Sequence, residues 1–193
     1  MLAQIAAFVC LCVHAAAVLE INHLHLALSS DPSRMYVQWT TSSSASSENT
    51  VSWGSSASKL SQTASGESWT FTDDDGREYF FHKATMRALT PGSTVYYAVG
   101  GPTNTSSVHS FVATRTDFSS EAPLKIAWIG DLGFANAQAD EYLAAEVQNG
   151  VYDHVIHVGD YAYDMNSGGG TNGDNFESMI EPITSSVSYH GCV

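Results

Sequence analysis

Two apolar runs that each end in Gly-Asp limit the folds open to this chain. Leu124–Ile129 and His154–Val158 have the length and composition of buried strands, and residues 135–148 between them are rich in strong helix formers. A strand, a helix and a strand in this order predict a βαβ unit whose two strands are parallel, with a right-handed crossover. Asp131 and Asp160, which follow the two strands, should therefore lie at the same edge of one sheet.

The helix of this unit is predicted by its apolar spacing and by the signal at its end. Ala139, Leu143 and Val147 fall at i, i+4 and i+8, which places them on one helix face. Asn149 and Gly150 mark the end of the helix, because glycine adopts the left-handed conformation beyond a helix at little cost.

The chain after the second strand predicts a loop, another helix and the start of a third strand. Residues 166–173 are rich in glycine and small polar residues, which is typical of a flexible loop. Residues 185–193 have the composition of a strand. Residues 174–183 between them predict a helix with three apolar side chains on one side: Phe176, Met179 and Ile180.

The first part of the chain follows a different pattern. Between residues 20 and 115, short alternating runs are separated by turn signals such as Asp73–Gly76 and Pro91-Gly92. Regularly spaced short strands predict a β-sandwich of roughly one hundred residues, and the polar segment 116–123 predicts a linker after it. The predicted strands are His23–Leu28, Met35–Trp39, Val51–Gly54, Phe80–Met86, Val95–Gly100 and Val108–Thr114.

The charge of the chain excludes some classes of partner. Its 20 acidic and 7 basic residues give a formal net charge of -13. A surface of this sign repels nucleic-acid phosphates and anionic lipid headgroups, so neither a nucleic acid nor a membrane is expected as a partner.

The N-terminus predicts a secretory signal peptide over residues 1–17. This stretch is apolar, too short to span a membrane comfortably, and ends in three alanines that suit signal peptidase. It lacks Lys and Arg, so an apolar N-terminal strand or helix is the alternative interpretation. Cleavage after Ala17 predicts a secreted, extracellular product. It would remove Cys10 and Cys12 and leave Cys192 without an intramolecular disulfide partner. Asn104 begins an Asn-Thr-Ser sequon in a loop-like segment and is a candidate glycosylation site.

Oxygen-bearing side chains at the shared strand edge suggest a metal site. Asp131 and Asp160 supply carboxylates, and Tyr163 supplies a phenol three residues after the second aspartate. Such hard ligands suit Fe(III) and divalent hard cations, and two adjacent ions can hold a phosphate and a hydroxide for in-line attack. Each aspartate alone has a simpler interpretation as a helix cap or turn residue, whereas the combination is more specific.

These motifs resemble those of the purple acid phosphatases within the metallophosphoesterases. Metallophosphoesterases generally carry Asp-x-His after the first strand and Gly-Asp-x-x-Asp after the second; this chain has Gly133 and Tyr163 at those His and Asp positions, as purple acid phosphatases do. The N-terminal part is similar to the fibronectin-III-like domain of plant-type members. The segments that carry this similarity are Ala27–Pro32, Trp53-Gly54 and Leu89–Tyr97. The stretches Gly173–Phe176 and Ile180–Ile183 resemble the family's helix after the second motif.

The resemblance implies a fold and a set of metal ligands. The expected fold is an all-β fibronectin-III-like sandwich over residues 18–117, followed by the incomplete start of an α/β metallophosphoesterase domain over 118–193. Asp131 would bind Fe(III), Asp160 would bridge Fe(III) to a divalent Zn, Mn or Fe ion, and Tyr163 would bind Fe(III) as a phenolate. The family's later Gly-Asn-His-Glu, Val-x-x-His and Gly-His-x-His motifs are not found in this sequence, so no catalytic residue is assigned.

Two functions follow from this interpretation. The first is a secreted acid phosphatase that hydrolyses phosphomonoesters with a dinuclear Fe(III)–M(II) centre, present here as an N-terminal fragment with little activity of its own. The alternative is a non-catalytic secreted β-sandwich binding protein that carries an α/β remnant. Association as a homodimer is open under either reading, and residues 124–193 are expected to be loosely ordered in solution because an open sheet edge is left uncovered.

Overall fold

In a computed structural model of the chain, residues 19–44, 49–102 and 104–191 are described. The predicted signal peptide and all three cysteines lie outside these ranges. Secretion and the state of Cys192 therefore stay predictions. No helix within the described ranges has both the length and the apolar character needed to cross a membrane.

Two antiparallel groups of strands build the first hundred residues. The first has the order β5 (Glu67–Thr72), β6 (Glu78–Met86), β2 (Met35–Thr41) and β1 (Ile21–Leu28). The second has the order β4 (Gln62–Ser65), β3 (Thr50–Gly54), β7 (Thr94–Gly100) and β8 (His109–Val112).

Alternating side chains from both groups meet in one apolar core. Val37 and Trp39 come from β2, Val51 comes from β3, and Tyr97 and Val99 come from β7; all five are buried. Alternation has this effect because successive side chains of a strand point to opposite faces. The two-group packing agrees with the sequence prediction, whereas the fibronectin-III-like assignment stays a prediction.

The sequence analysis missed β4 and β5. All six side chains of β5 are exposed, so this strand has no buried face to leave a periodic signal. Its formation depends on backbone pairing with β6, from Glu67 opposite Lys83 to Thr72 opposite Glu78. The predicted Asp73–Gly76 turn joins the two strands, and Gly76 has the positive φ of 82° that glycine accepts without steric penalty.

The predicted parallel pair is confirmed. β9 (Ile126–Ile129) pairs with β11 (His154–His157) in parallel, with Ile126 opposite His154. The helix between them, α1 (Asp140–Gln148), begins later than residue 135, and Asn149 and Gly150 end it as predicted. Leu143 and Val147 are buried on its inner face. Ala139 is exposed, however, because it is the N-cap residue and precedes the first full turn.

The second helix and the third strand join the two parts of the chain. Strand β13 (Ser188–Gly191) lies between β11 and β1 and runs parallel to both. One seven-stranded sheet therefore has the order β5-β6-β2-β1-β13-β11-β9. Helix α2 (Thr171–Thr184) packs against β1 and α1, and it buries Phe176, Ile180 and Ile183 in a second core.

Hydrogen bonds between the end of α2 and the first part of the chain connect residues that are far apart in sequence. The Thr184 hydroxyl donates to the Leu24 carbonyl at 2.6 Å, and the Tyr97 hydroxyl donates to the Ser185 carbonyl at 2.8 Å. β9 forms the end of the sheet beyond β11. The loose order expected for residues 124–193 in solution stays a prediction, while in the structure β13 has a hydrogen-bonded neighbour on each side.

Candidate functional site

The loops that follow β9 and β11 are joined by a short parallel ladder. Strands β10 (Leu132–Gly133) and β12 (Tyr161–Ala162) pair, with Leu132 opposite Tyr161. The Asp131 N–H donates to the Gly159 carbonyl at 3.2 Å, and the Leu132 N–H donates to the Asp160 carbonyl at 3.1 Å. The two aspartates predicted to share one sheet edge are therefore held side by side through their backbones.

The side chains of Asp131 and Tyr163 are in direct contact. The Tyr163 hydroxyl donates a hydrogen bond to Oδ1 of Asp131. Both residues are exposed, and 48% of the Tyr163 surface is accessible, so solvent reaches the phenol. Asp160 is also exposed, and within the described part of the chain its carboxylate has no hydrogen bond to either of the other two. The structure thus brings two of the three predicted donors into contact and places the third beside them.

The backbone of these loops is concentrated in an unusual conformation. Asp131, Asp160, Ala162 and Tyr163 have φ values between 47° and 60°, in the left-handed region. Among the described non-glycine residues, only His23 and Ala88 share this property elsewhere. Left-handed non-glycine residues cost about 1–3 kcal/mol each and cluster at functional sites, where the surrounding structure maintains them. The left-handed residues therefore lie in the same two loops that carry the predicted metal ligands.

Gly133 and Tyr163 occupy adjoining space. A Cβ atom at position 133 would lie 2.8 Å from Cδ2 of Tyr163 and 2.4 Å from Oδ1 of Asn136. Both distances are below normal van der Waals separation, so no side chain fits there while the Tyr163 ring keeps its position. The glycine and the tyrosine, which both depart from the general metallophosphoesterase pattern, are therefore coupled by packing.

Asn172, in the first turn of α2, holds the backbone on either side of Tyr163. Its amide Nδ2 donates to the Ala162 carbonyl at 2.6 Å and to the Asp164 carbonyl at 2.9 Å. The Gly173 N–H donates to the Met165 carbonyl at 3.0 Å. Sequence reasoning missed Asn172, because its two acceptors are backbone atoms and leave no residue pattern.

His157 supports the site from beneath. The fully buried ring packs against Tyr161 and Phe176, and its Nδ1 lies 2.7 Å from the Tyr189 hydroxyl. Burial lowers the pKa of His157 and raises the pKa of the Tyr189 hydroxyl, so both are neutral at pH 7. The neighbouring strand histidines also have protein partners: His154 contacts Ser188, and Nε2 of His190 accepts from the Leu28 N–H.

The donor atoms present fit the ferric side of a metal centre. Two carboxylates and a phenol are hard oxygen ligands, and the Tyr163–Asp131 contact brings two of them within reach of one ion. Across the ranges 19–44, 49–102 and 104–191, no three His, Cys, Asp or Glu side chains are grouped closely enough to hold a metal. The phenol of Tyr163 is therefore the third oxygen donor that these loops offer, beside the carboxylates of Asp131 and Asp160.

The candidate glycosylation site lies in a different part of the molecule. Asn104 is half-buried next to the end of β7, and its amide Nδ2 donates to the Leu19 carbonyl. Its Oδ1 accepts from the Thr105 N–H at 2.9 Å. Glycosylation of Asn104 stays a prediction.

Comparison with known proteins places the chain in a family. Residues 21–113 match the family model described as the purple acid phosphatase N-terminal domain. Acid phosphatase type 7 of mouse and that of human are each 34% identical to this chain over 174 residues, and the zebrafish protein is 32% identical over 176. This chain belongs to the purple acid phosphatase family. It spans about two fifths of these relatives, since the match to the mouse protein covers 89% of this chain and 39% of that protein.

Solved structures show the same fold. A purple acid phosphatase from yellow lupin seeds, PPD1, superposes with a TM-score of 0.68 at 22% identity, over 89% of this chain and 34% of the lupin chain. PhoD superposes with a TM-score of 0.53 at 10% identity, over 88% of this chain and 37% of that chain. The family model and the acid phosphatase relatives confirm the predicted family, which generally uses iron with a divalent metal.

Proposed function

We propose that this chain supplies the iron-binding half of the dinuclear centre of a secreted acid phosphatase acting on phosphomonoesters. Asp131 and Tyr163 would bind Fe(III), and Asp160 would bridge it to a divalent Zn, Mn or Fe ion. The contact between the Tyr163 hydroxyl and Oδ1 of Asp131 carries this proposal, because the two residues are 32 positions apart and serve no apolar core. Extracellular secretion is supported by the sequence of residues 1–17.

The protein's own residues would shape the chemistry in three ways. When bound, a trivalent ion beside a divalent one supplies a hydroxide nucleophile at acid pH and polarises the phosphate. Asp131, Asp160 and the Tyr163 phenolate would supply the negative charge that holds these cations. The β10–β12 ladder and Asn172 fix the spacing of these three donors, and the neutral His157 beneath them adds no positive charge that would oppose metal binding.

Titration of the purified chain with Fe(III) tests the proposal. A tyrosinate bound to Fe(III) gives a visible charge-transfer band, so the native chain should gain colour and Tyr163→Phe should not. Tyr142→Phe is the matched control, because Tyr142 lies on α1 and is 76% exposed. A band that persists in Tyr163→Phe, or that is lost in Tyr142→Phe, would contradict the assignment of Tyr163.

The activity of this chain alone is a separate part of the proposal. Asp131, Asp160 and Tyr163 are the family ligands that the sequence supplies, so we expect weak metal binding and little or no turnover. Hydrolysis of an aryl phosphate should therefore stay near background with iron and zinc added. Substantial hydrolysis that depends on added metal would overturn this expectation without touching the iron-site assignment.

A further inference from the structure

The outer face of the first sheet carries a row of four aromatic rings. Trp69 and Phe71 come from β5, and Tyr79 and Phe81 come from β6. Trp69 stacks on Phe81 with ring centroids 5.6 Å apart and planes 15° apart, and Tyr79 stacks on Phe81 at 6.2 Å. Trp69 and Phe71 are 43% and 54% exposed. The aromatic row is not needed for the sandwich core, which lies on the opposite face of the sheet.

A cavity of about 550 Å³ lies between part of this row and the second part of the chain. The rings of Phe71, Tyr79 and Phe81 line one side. The loop after Tyr163 and the start of α2 line the other side, with Met165, Asn166, Gly170, Asp174 and Glu177. The cavity has the size of a small-molecule site and combines apolar walls with a few polar groups, as such sites do.

Five carboxylates line the cavity, from Asp73, Asp74, Asp75, Asp174 and Glu177. Asp174 pairs with Arg77, and Asp73 accepts the N–H groups of Asp75 and Arg77 at 3.0 and 2.8 Å. Within the described ranges, no group donates a hydrogen bond to the Glu177 carboxylate. Burial, together with the negative charges of Asp174 and Glu181, raises the pKa of Glu177 to about 7.

Positive charge on the cavity wall is scarce. His23 and His25 line it from β1, but burial lowers the pKa of both, so they are neutral at pH 7. Arg77 lies over the Tyr79 ring at 4.8 Å from the centroid and also donates to the Gly169 carbonyl. The wall therefore already holds one guanidinium between the Tyr79 ring and the Asp174 carboxylate, and it leaves Phe71 and Glu177 without a cationic partner.

We propose that this cavity binds a small organic cation of the quaternary ammonium type, with its charge against Glu177 and its methyl groups against the exposed Phe71 ring. The faces of aromatic rings and the carboxylates attract positive charge, and both repel an anionic ligand. This site is independent of the metal centre, because it uses neither Asp131 nor Asp160 nor Tyr163.

Titration with choline, monitored by isothermal calorimetry at pH 8, tests the proposal. The neutral isostere 3,3-dimethylbutan-1-ol is the matched ligand, since it keeps the shape and removes the charge. We expect choline to bind about tenfold more tightly than the alcohol, a difference in the range of cation–π and charge contacts. Equal binding of the two ligands, or saturation by a neutral sugar but not by choline, would overturn the proposal.

Two variants and one control locate the binding. Glu177→Gln and Phe71→Leu should each weaken choline binding about tenfold by removing the charge or the ring face. Glu141→Gln, an exposed carboxylate on α1, should leave it unchanged. Far-ultraviolet circular dichroism confirms that each variant is folded. Unchanged affinity in folded Glu177→Gln, or an equal loss in Glu141→Gln, would overturn the location.

Discussion

The two parts of the chain achieve order in different ways. Residues 21–113 form antiparallel pairs between strands that are mostly close in sequence, and their core is closed by two groups of strands. Residues 126–191 form parallel strands whose core is closed by both helices, and their strand β13 pairs with β1 of the first part. The functional loops lie in this second, more dependent part. The sheet beside the candidate site therefore helps to hold its loops in place.

The dependence can be traced through named contacts. α2 packs against β1, and the Glu181 carboxylate accepts the His23 N–H at 2.6 Å. Asn172, at the other end of α2, holds the backbone around Tyr163. Arg77 ties the β5–β6 hairpin to Asp174 in the same helix. The first part of the chain therefore acts as a support that positions the Tyr163 loop.

Phe176→Ala should have the largest effect on the difference between the two parts. Phe176 is fully buried in the second core, and truncation of a buried phenylalanine costs about 3–5 kcal/mol. We expect residues 126–191 to lose protection in amide hydrogen exchange, while strands β2, β3 and β7 keep theirs. Trp39→Ala, in the first core, is the matched variant and should expose both parts. Loss of protection in β3 and β7 in Phe176→Ala would show that the first part is not independent.

Glu177→Gln should stabilise the protein in a pH-dependent way. The folded-state pKa of about 7 lies above the ordinary value of 4.5, so between these values the folded state holds a proton that the unfolded state has lost. Stability therefore falls as the pH rises from 4.5 to 7, by up to about 3 kcal/mol. Urea unfolding at pH 4 and pH 8 checks this. The variant should match the native chain at pH 4 and exceed it at pH 8, and equal stabilities at pH 8 would refute the burial of charge at Glu177.

Gly133→Ala tests whether residues 133 and 163 are coupled by packing. The added methyl group meets the Tyr163 ring and Asn136, and overpacking of this kind costs about 1–3 kcal/mol. We expect the Fe(III) band to weaken or shift, because the phenol is displaced. Gly130→Ala is the control, since its Cβ meets the exposed Val158 side chain at 3.2 Å and the Gly159 carbonyl oxygen at an ordinary 3.7 Å. An unchanged band in Gly133→Ala would mean that the two positions are not coupled.

Asn172→Ala should have the smallest effect on global stability. It removes hydrogen bonds to two backbone carbonyls, those of Ala162 and Asp164, each worth about 1 kcal/mol. The expected result is faster amide exchange at residues 162–165 and a weaker Fe(III) band, with a change in unfolding free energy of about 1–2 kcal/mol. Asn175→Ala, an exposed position on the same helix, should change none of these. Identical amide exchange rates in the two variants would show that Asn172 does not position the Tyr163 loop.

Much of the second part could be predicted because its signals are local. Leu143 and Val147 show the helix face, Gly150 ends the helix, and the Gly-Asp pairs mark the strand ends. β5 could not be predicted because all its side chains are exposed. The cavity beside the aromatic row could not be predicted either, because its other wall comes from α2, about a hundred residues later in the sequence.

The sequence by itself determined the strand–helix–strand order of the second part, six strands of the first part, the family and the three candidate ligands. Tertiary structure alone decided that β13 joins the two parts in one sheet, that Asn172 holds the Tyr163 loop, and that Glu177 faces an aromatic wall. The physical reason is the separation along the chain over which each interaction acts. Periodicity and turn chemistry act between neighbours along the chain, whereas these contacts join residues brought together only when apolar faces are buried.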